Sequence, residues 1–202
     1  MPPLSRDRII DTAIALADRD GLDAVTLRRI AAMLGVHVTS LYNHVPTRDA
    51  VTTGIVDALV TRADLPTGEI EWEPWVRTFV AAVGEIATAH PGAFAALQRR
   101  PVEGARATRS FEAALAAFER AGLKPADAYG AVKATTHMAL SIGVERALWR
   151  RGEEAETAFE HLPAESFPHV LALQGQVDPE AQWSFSVETL VAGLQAQMRR
   201  KA

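Results

Sequence analysis

The chain has 202 residues, with 21 Lys and Arg against 25 Asp and Glu, so its formal net charge is −4. Hydrophobic residues make up 48%, which is typical of a soluble globular protein that can bury a core. The absence of cysteine excludes disulfides, thiol nucleophiles and thiolate metal sites. No apolar run is long enough for a transmembrane helix or a signal peptide, so we expect a cytoplasmic protein without membrane association.

The charges are distributed unevenly along the chain. No acidic residue lies between Asp23 and Asp49, whereas Arg28, Arg29 and Arg48 do, and all the tryptophans and phenylalanines follow residue 70. A short basic segment in an acidic chain is compatible with nucleic-acid binding, which the net charge alone argues against.

The N-terminal part shows helical periodicity from its beginning. Apolar residues between Ile9 and Ala17 predict a first helix that ends at Gly21, because glycine favours the conformation at a helix C-terminus. Thr26 is placed to cap a second helix, and Gly35 is placed to end it.

Two further helices are predicted before residue 64. Leu41 and Val45 are four residues apart and would share one face of a short third helix that ends at Pro46. Thr47 can cap a fourth helix that runs to about Ala63.

The segment 64–73 is the best candidate for a linker, so we divide the chain into a domain of residues 1–63 and a domain of residues 64–202. Helices are predicted at 74–89, 91–98, 102–121, 125–150 and 179–199. Prolines at 91, 101, 125 and 179 mark four of the starts. Residues 151–178 give no clear prediction beyond a short helix near Glu153 to Glu156. No alternating strand pattern occurs, so the fold is predicted to be all-α.

The second and third helices, joined by a short turn that contains glycine, are typical of a helix-turn-helix, although a generic helical corner has the same spacing. The outward face of the third helix carries Thr39, Ser40 and Asn43, whose short hydrogen-bonding side chains suit a DNA groove better than bulk water. Tyr42 and His44 can donate to phosphate oxygens.

Two arginines fit the same interpretation. Arg48 lies in the first turn of the fourth helix, where free backbone N–H groups also attract anions. Arg28 can clamp a phosphate or contact a guanine edge with two hydrogen bonds.

The run from Thr26 to Val36, followed by Ser40 to Val45, resembles the DNA-binding domain of the TetR family of transcriptional repressors. The resemblance covers about residues 5–60. It implies a homodimer on operator DNA, with a C-terminal domain that binds a small-molecule effector and in which two long helices of each subunit form a four-helix bundle. The candidate DNA-binding residues are Thr26, Arg28, Thr39, Ser40, Tyr42, Asn43, His44 and Arg48.

A weaker likeness to the tetracycline-responsive members of this family extends through the C-terminal domain. It is carried by the segment 72–80, by Arg100-Pro101, and by His137 followed by Glu145. Where those members hold the drug and its magnesium, this chain has Asp64, Phe79 and Ala96. We therefore expect a more apolar effector, with no cofactor and no metal.

Large side chains at helical spacing in the C-terminal domain supply the candidate pocket, although most such residues are simply core. His137 is either a core histidine or a ligand contact. The candidate ligand-binding residues are Trp75, Phe79, Val83, Phe94, Leu97, Phe118, His137 and Met138.

Two apolar helix faces are candidates for a dimer interface. One is the stripe of the last helix from Val187 to Met198, and the other is the row of small residues in the helix at 125–150. Both faces could equally cover the core of the subunit itself.

Catalytic motifs are absent from the sequence, since it has no metalloprotease helix motif, phosphate-binding glycine loop or nucleophile elbow. The predicted function is a ligand-responsive transcriptional regulator, most simply a repressor that a small apolar effector releases from a palindromic operator. The alternatives are an all-helical protein-interaction module and an enzyme that handles a small molecule without binding DNA.

Overall fold

A computed structural model describes residues 3–100, 102–152, 162–163, 165–173 and 175–201. Within these residues the protein is all-helical and has no strand, which confirms the predicted fold class. None of the described helices is both long and apolar enough to cross a membrane. The helices are α1 (Arg6–Asp20), α2 (Leu27–Leu34), α3 (Arg48–Arg62), α4 (Trp72–Ala89), α5 (Ala96–Arg99), α6 (Ala105–Arg120), α7 (Pro125–Arg150), α8 (Pro168–Leu171) and α9 (Pro179–Lys201).

The three N-terminal helices begin at side-chain caps. The hydroxyl of Ser5 accepts from the first turn of α1, that of Thr26 accepts from the backbone of Arg29, and that of Thr47 accepts from the backbone of Ala50. Gly35 ends α2 in the left-handed conformation, with φ 67° and ψ 32°. The caps at Thr26 and Thr47 and the stop at Gly35 confirm the predictions from the sequence.

The third predicted helix is shorter than expected. A 3₁₀ turn at Val38–Leu41 is followed by a hydrogen-bonded turn, in which the backbone N–H of Val45 donates to the carbonyl of Leu41 over 2.8 Å. A longer helix is disfavoured because Pro46 restricts the residue before it and because β-branched side chains begin the element. The predicted fourth helix is therefore α3 of the structure.

The helices α4, α7 and α9 begin and end close to their predicted bounds, and α7 matches residues 125–150. The predicted helix at 91–98 is instead a 3₁₀ turn at Ala93–Ala95 that continues into α5, so Pro91 does not begin it. The reason is that the Asp18 carboxylate of α1 accepts hydrogen bonds from the backbone N–H groups of Gly92 and Ala93, at 3.1 and 2.9 Å. The expected short helix near residues 153–156 lies outside the described residues.

Buried side chains form two clusters. The first cluster fills the space between α1, α2 and α3 and continues into the turn at Ala93–Ala95 and the second half of α7. The second cluster lies between α4, α6, the first half of α7 and α9, and its centre is Trp75 and Phe118. The N-terminal helices therefore rest on α7 through the segment of residues 90–100, which we call the junction segment.

Candidate DNA-binding site and effector region

The turn after α2 separates buried from exposed residues sharply. Leu41 and Val45 have no exposed surface, which anchors the turn to the core of the N-terminal helices. The side chains on its other side are all exposed, and the ring of Tyr42 is 50% exposed. These exposed residues are Thr39, Ser40, Tyr42, Asn43 and His44, and together they form what we call the recognition face.

A histidine that the sequence analysis did not assign holds one end of this face. The ring Nδ1 of His37 lies 2.8 Å from the hydroxyl of Thr39, and it accepts a hydrogen bond from the backbone N–H of Thr39 at 3.4 Å. His37 therefore caps the 3₁₀ turn, and it fixes the orientation of the Thr39 side chain. Its position directly after the Gly35-Val36 turn is the signal that could have identified the cap.

The three arginines of the basic segment have different surroundings. Arg29 is paired with Asp20 and also donates to the carbonyl of Ala24, so it stabilises the connection between α1 and α2. Arg28 is exposed, and the described residues offer it no hydrogen-bond or ion-pair partner. Of these two neighbours, Arg28 is therefore the one available to an external anion, a distinction that the sequence could not make.

Arg48 lies at the start of α3, beside the backbone N–H groups behind Thr47. Its Nη2 donates to the carbonyls of Leu22 and Asp23 at 3.4 and 3.3 Å, and it lies 3.5 Å from the Asp23 carboxylate. A cation in the first turn of a helix is disfavoured by the helix dipole, and these oxygen atoms compensate for that effect. The remaining donors of the guanidinium are still directed to a half-exposed surface.

Three carboxylates around this site have lowered pKa values. The pKa of Asp20 is lowered chiefly by the hydrogen bond from Arg19, that of Asp23 by the hydrogen bond from Arg99, and that of Asp49 by the hydrogen bond from Arg100. All three groups are therefore ionised at neutral pH and paired with arginine. This pairing reduces the repulsion that they would exert on a DNA phosphate.

The predicted pocket residues divide between the two core clusters. Trp75 stacks on Phe79 with ring centroids 4.8 Å apart, and Phe118 packs edge-on against Trp75. We call Trp72, Trp75, Phe79 and Phe118 the aromatic cluster. The other apolar candidates belong to the first cluster, against which Phe79 also packs: Val83, Phe94, Leu97 and Met138.

Two polar residues of the C-terminal helices differ from what the sequence indicates. His137 is exposed in the single chain, so the interpretation as a core histidine is wrong, and its contact with a ligand stays a prediction. Ser110, which the sequence analysis did not single out, is fully buried, and its hydroxyl has no hydrogen-bond partner among the described residues. Its carbonyl accepts from the indole N–H of Trp75 at 3.2 Å, so Ser110 lies beside the aromatic cluster.

Three positions separate this chain from a tetracycline–magnesium site, and one of them, Phe79, lies in the aromatic cluster. Asp64 is almost fully exposed and faces Arg106, while Ala96 is fully buried in the first cluster. No group of three or more histidine, aspartate or glutamate side chains in the described parts of the chain could hold a metal ion.

Comparison with known proteins agrees with this geometry. A family model described as bacterial regulatory proteins of the tetR family matches residues 9–52, which span α1, α2, the recognition face and the start of α3. An HTH-type transcriptional regulator of Saccharopolyspora erythraea is 32% identical over 96% of this chain and 86% of its own length.

The chain belongs to the TetR family of transcriptional regulators. Its C-terminal domain also matches a tetracycline repressor, the class D protein of Escherichia coli, with 26% identity over 98% of this chain and 92% of that protein. The matched relatives are transcriptional regulators and repressors, which confirms the prediction of a regulator and not an enzyme.

A solved structure of this family shows the same architecture with a ligand. The TetR family protein ActR of Streptomyces coelicolor, in complex with actinorhodin, has a TM-score of 0.80 and 25% identity, and the match covers 98% of this chain and 99% of ActR. The two-part arrangement of a helix-turn-helix domain and a larger helical domain is therefore shared with a ligand-binding regulator.

Proposed function

We propose that this TetR-family protein is a repressor that binds a near-palindromic operator as a homodimer and is released by a small apolar effector. The division into functional units is placed where α3 ends, with residues 1–63 for DNA and residues 64–202 for the effector and the dimer. The observation that carries the DNA-binding role is the recognition face, because five polar side chains are exposed on a turn whose other side is fully buried.

The proposed contacts follow from the surroundings of each side chain. Ser40 and Asn43 are exposed at the centre of the face and would contact base edges, with Thr39 beside them. Tyr42, His44 and Arg48 would bind phosphates at its rim, and Arg28 would reach a guanine or a phosphate from α2. Thr26 contributes by fixing the start of α2, since its hydroxyl is the cap.

Selection of bound sequences from a random duplex pool tests this role directly. The wild-type protein should select related half-sites one DNA turn apart, about 34–36 Å between centres, if it binds as a symmetric dimer. Asn43→Asp places a negative charge on the recognition face and should abolish selection, whereas Gln182→Glu, on exposed surface of α9, should not. Selection of the same sequences by both variants would contradict the proposal.

The proposed dimer face lies on the long helices. In the stripe of α9, Val191 and Leu194 are buried against their own subunit, so we do not assign the interface to these two residues. In contrast, α7 exposes Gly130, Ala134 and His137 at spacings of four and three residues, and no neighbouring atom lies near Gly130. We place His137 on this face, where it would meet the partner subunit.

A charge on this face tests the dimer. Ala134→Glu should shift the sedimentation of the protein from dimer to monomer, because like charges would meet across a two-fold axis. Ala32→Glu is the matched control, because it makes the same substitution on exposed surface of α2, away from this face, and should leave the protein dimeric. Equal dimerisation of the Ala134→Glu variant would contradict the proposed face.

The proposed effector site adjoins the aromatic cluster and Ser110. A buried hydroxyl without a partner carries a desolvation cost that a polar ligand group would relieve. We therefore infer an effector with a large apolar or aromatic body and a polar group that bonds to Ser110. Actinorhodin, the ligand in the ActR complex, is a suitable first compound to test, and tetracycline with magnesium is the contrasting one.

The test uses the selected duplex and measures its release. Actinorhodin should release the duplex from the wild-type protein, whereas tetracycline with magnesium should not. Ser110→Ala should weaken the response to actinorhodin while leaving the free energy of unfolding equal or higher, because the unpaired hydroxyl is removed. Ser186→Ala, at a hydroxyl that already bonds to the carbonyl of Gln182, is the matched control. An unchanged response of Ser110→Ala would place the effector elsewhere.

A further inference from the structure

The junction segment contacts the N-terminal helices through three carboxylates. Asp18, near the end of α1, accepts from the ring of His90 and from two backbone N–H groups of the segment. Asp49, in the first turn of α3, is paired with Arg100. The third carboxylate is Asp23, in the loop between α1 and α2, and it is paired with Arg99.

Asp23 differs from the other two because it contacts two arginines of different function. Arg99 donates to both of its carboxylate oxygens, at 2.6 and 3.2 Å. Arg48, which we assign to a DNA phosphate, lies 3.5 Å from the first of these oxygens. The side chains of Arg48 and Arg99 are 51% and 50% exposed, so neither arginine is fixed by burial.

This arrangement makes the charge of Asp23 important for DNA binding. If Arg99 is absent, the carboxylate is left with Arg48 as its nearest cation, and it competes with a phosphate for the same guanidinium. It also adds an unpaired negative charge beside the DNA backbone. With Arg99 present, both oxygens of the carboxylate already accept hydrogen bonds, and Arg48 keeps its remaining donors for DNA.

The position of Arg99 depends on the regulatory helices. A cleft of about 390 Å³ separates the corner at Leu22 and Asp23 from the junction segment, with Arg99 and Phe94 on the opposite wall and Val144 of α7 at its side. The ion pair therefore spans an open cleft and not a packed interface. The side chain of Arg99 is half-exposed at the end of this segment, so a shift of that end alone would separate Arg99 from Asp23.

We propose that Arg99 is a positioning residue for DNA binding, which holds the Asp23 carboxylate and so keeps the contact between Arg48 and Asp23 weak enough for Arg48 to bind a phosphate. Withdrawal of Arg99 with the end of the junction segment leaves Arg48 as the nearest cation to Asp23, which strengthens that contact and weakens the complex with DNA. This inference rests on the proposed function, and it identifies the contact through which the regulatory domain alters the affinity of the DNA-binding site.

The test compares four proteins on the duplex that the wild-type chain selects from a random pool: wild type, Arg99→Gln, Asp23→Asn and the double variant. Arg99→Gln should weaken binding about fivefold at low salt, the size expected for one exposed ion pair. Asp23→Asn should bind at least as tightly as wild type, and the double variant should recover that affinity. Arg99→Lys should recover it in part, because a cation is retained.

A salt titration separates positioning from loss of general positive charge. The slope of log K against log salt should fall by about one in Arg99→Gln, because Arg48 no longer neutralises a phosphate. In an Arg48→Gln background, Arg99→Gln should leave the slope unchanged and weaken binding clearly less than it does in the wild type, because only the repulsion from Asp23 remains. Arg62→Gln removes the same charge from an exposed pair with Asp11 at the far end of α3, and it should keep the wild-type slope.

Two results would overturn the inference while leaving the proposed function intact. The first is wild-type affinity in Arg99→Gln, and the second is a double variant as weak as Arg99→Gln alone, which would show a structural role for Arg99 instead. A wild-type protein that selects no duplex would remove the proposed function itself, and this outcome is visible before any variant is measured.

Discussion

The recognition face and the effector region are built in opposite ways. On the recognition face, polar side chains are exposed on a turn anchored by only two fully buried residues, Leu41 and Val45. In the effector region, the aromatic rings are themselves the anchor, since Trp75 and Phe118 are buried and pack against each other. The proposed function of the face is therefore separable from stability residue by residue, whereas in the proposed effector region the same side chains would serve both.

The largest expected effect is a loss of stability when the central tryptophan of the proposed effector region is removed. Trp75→Ala should lower the free energy of unfolding by about 3–5 kcal/mol, because it leaves a cavity beside Phe79 and Phe118 and removes the indole hydrogen bond to the carbonyl of Ser110. Urea denaturation measures this loss. Trp149→Ala is the matched control, because that tryptophan is 44% exposed and should cost clearly less. Equal losses would mean that Trp75 is not a central core residue.

The next effect contrasts two neighbours on the recognition turn. Leu41→Ala should lower the free energy of unfolding by about 2–5 kcal/mol, because its side chain is fully buried. Tyr42→Ala should change stability by less than about 0.5 kcal/mol and yet weaken binding to every duplex. Denaturation and DNA titration of both variants check this. A loss of stability in Tyr42→Ala comparable with that of Leu41→Ala would show that the face is not separable from the core.

The difference between the two regions also explains what the sequence could predict. The caps at Thr26 and Thr47 and the stop at Gly35 are local, so short-range patterns were enough to identify them and the helix-turn-helix. The division of the pocket candidates is not local, because Phe94 and Trp75 have the same helical pattern and differ only in which helices cover them. Pattern alone could not separate them.

Partners that are distant in the chain were missed for the same reason. Asp23 and Arg99 are 76 residues apart, and nothing in either local sequence indicates that they pair. The predicted helix at 91–98 was misplaced because the N–H groups of Gly92 and Ala93, at the start of the 3₁₀ turn, are satisfied by Asp18 of another helix. The exposure of His137 likewise depends on which face of α7 the other helices cover.

A smaller expected effect distinguishes base contacts from phosphate contacts within the recognition face. Asn43→Ala should reduce the discrimination between the selected duplex and a single-base variant by about 1–3 kcal/mol, with little change in affinity for unrelated DNA. His44→Ala, at the rim, should instead weaken all duplexes alike. Titration of the three kinds of duplex with each variant separates these outcomes. The same pattern in both variants would mean that the face does not divide into base and phosphate contacts.

The smallest expected effect is the pH dependence of the stability that the pair of Asp23 and Arg99 gives to the junction segment. The hydrogen bond from Arg99 holds the pKa of Asp23 below its ordinary value of 3.8, so the folded state binds this proton less readily than the unfolded chain does. The stabilisation by the pair of Asp23 and Arg99 is therefore complete above that ordinary value and is lost as the pH falls through the folded-state pKa.

The difference in unfolding free energy between wild type and Asp23→Asn should be present at neutral pH and should become smaller at about pH 3. When Arg99→Gln is already present, the effect of Asp23→Asn on the unfolding free energy should depend less on pH, because the principal partner of the carboxylate is gone. A difference that stayed constant from neutral pH to about pH 3 would show that the pair does not link the junction segment to the N-terminal helices.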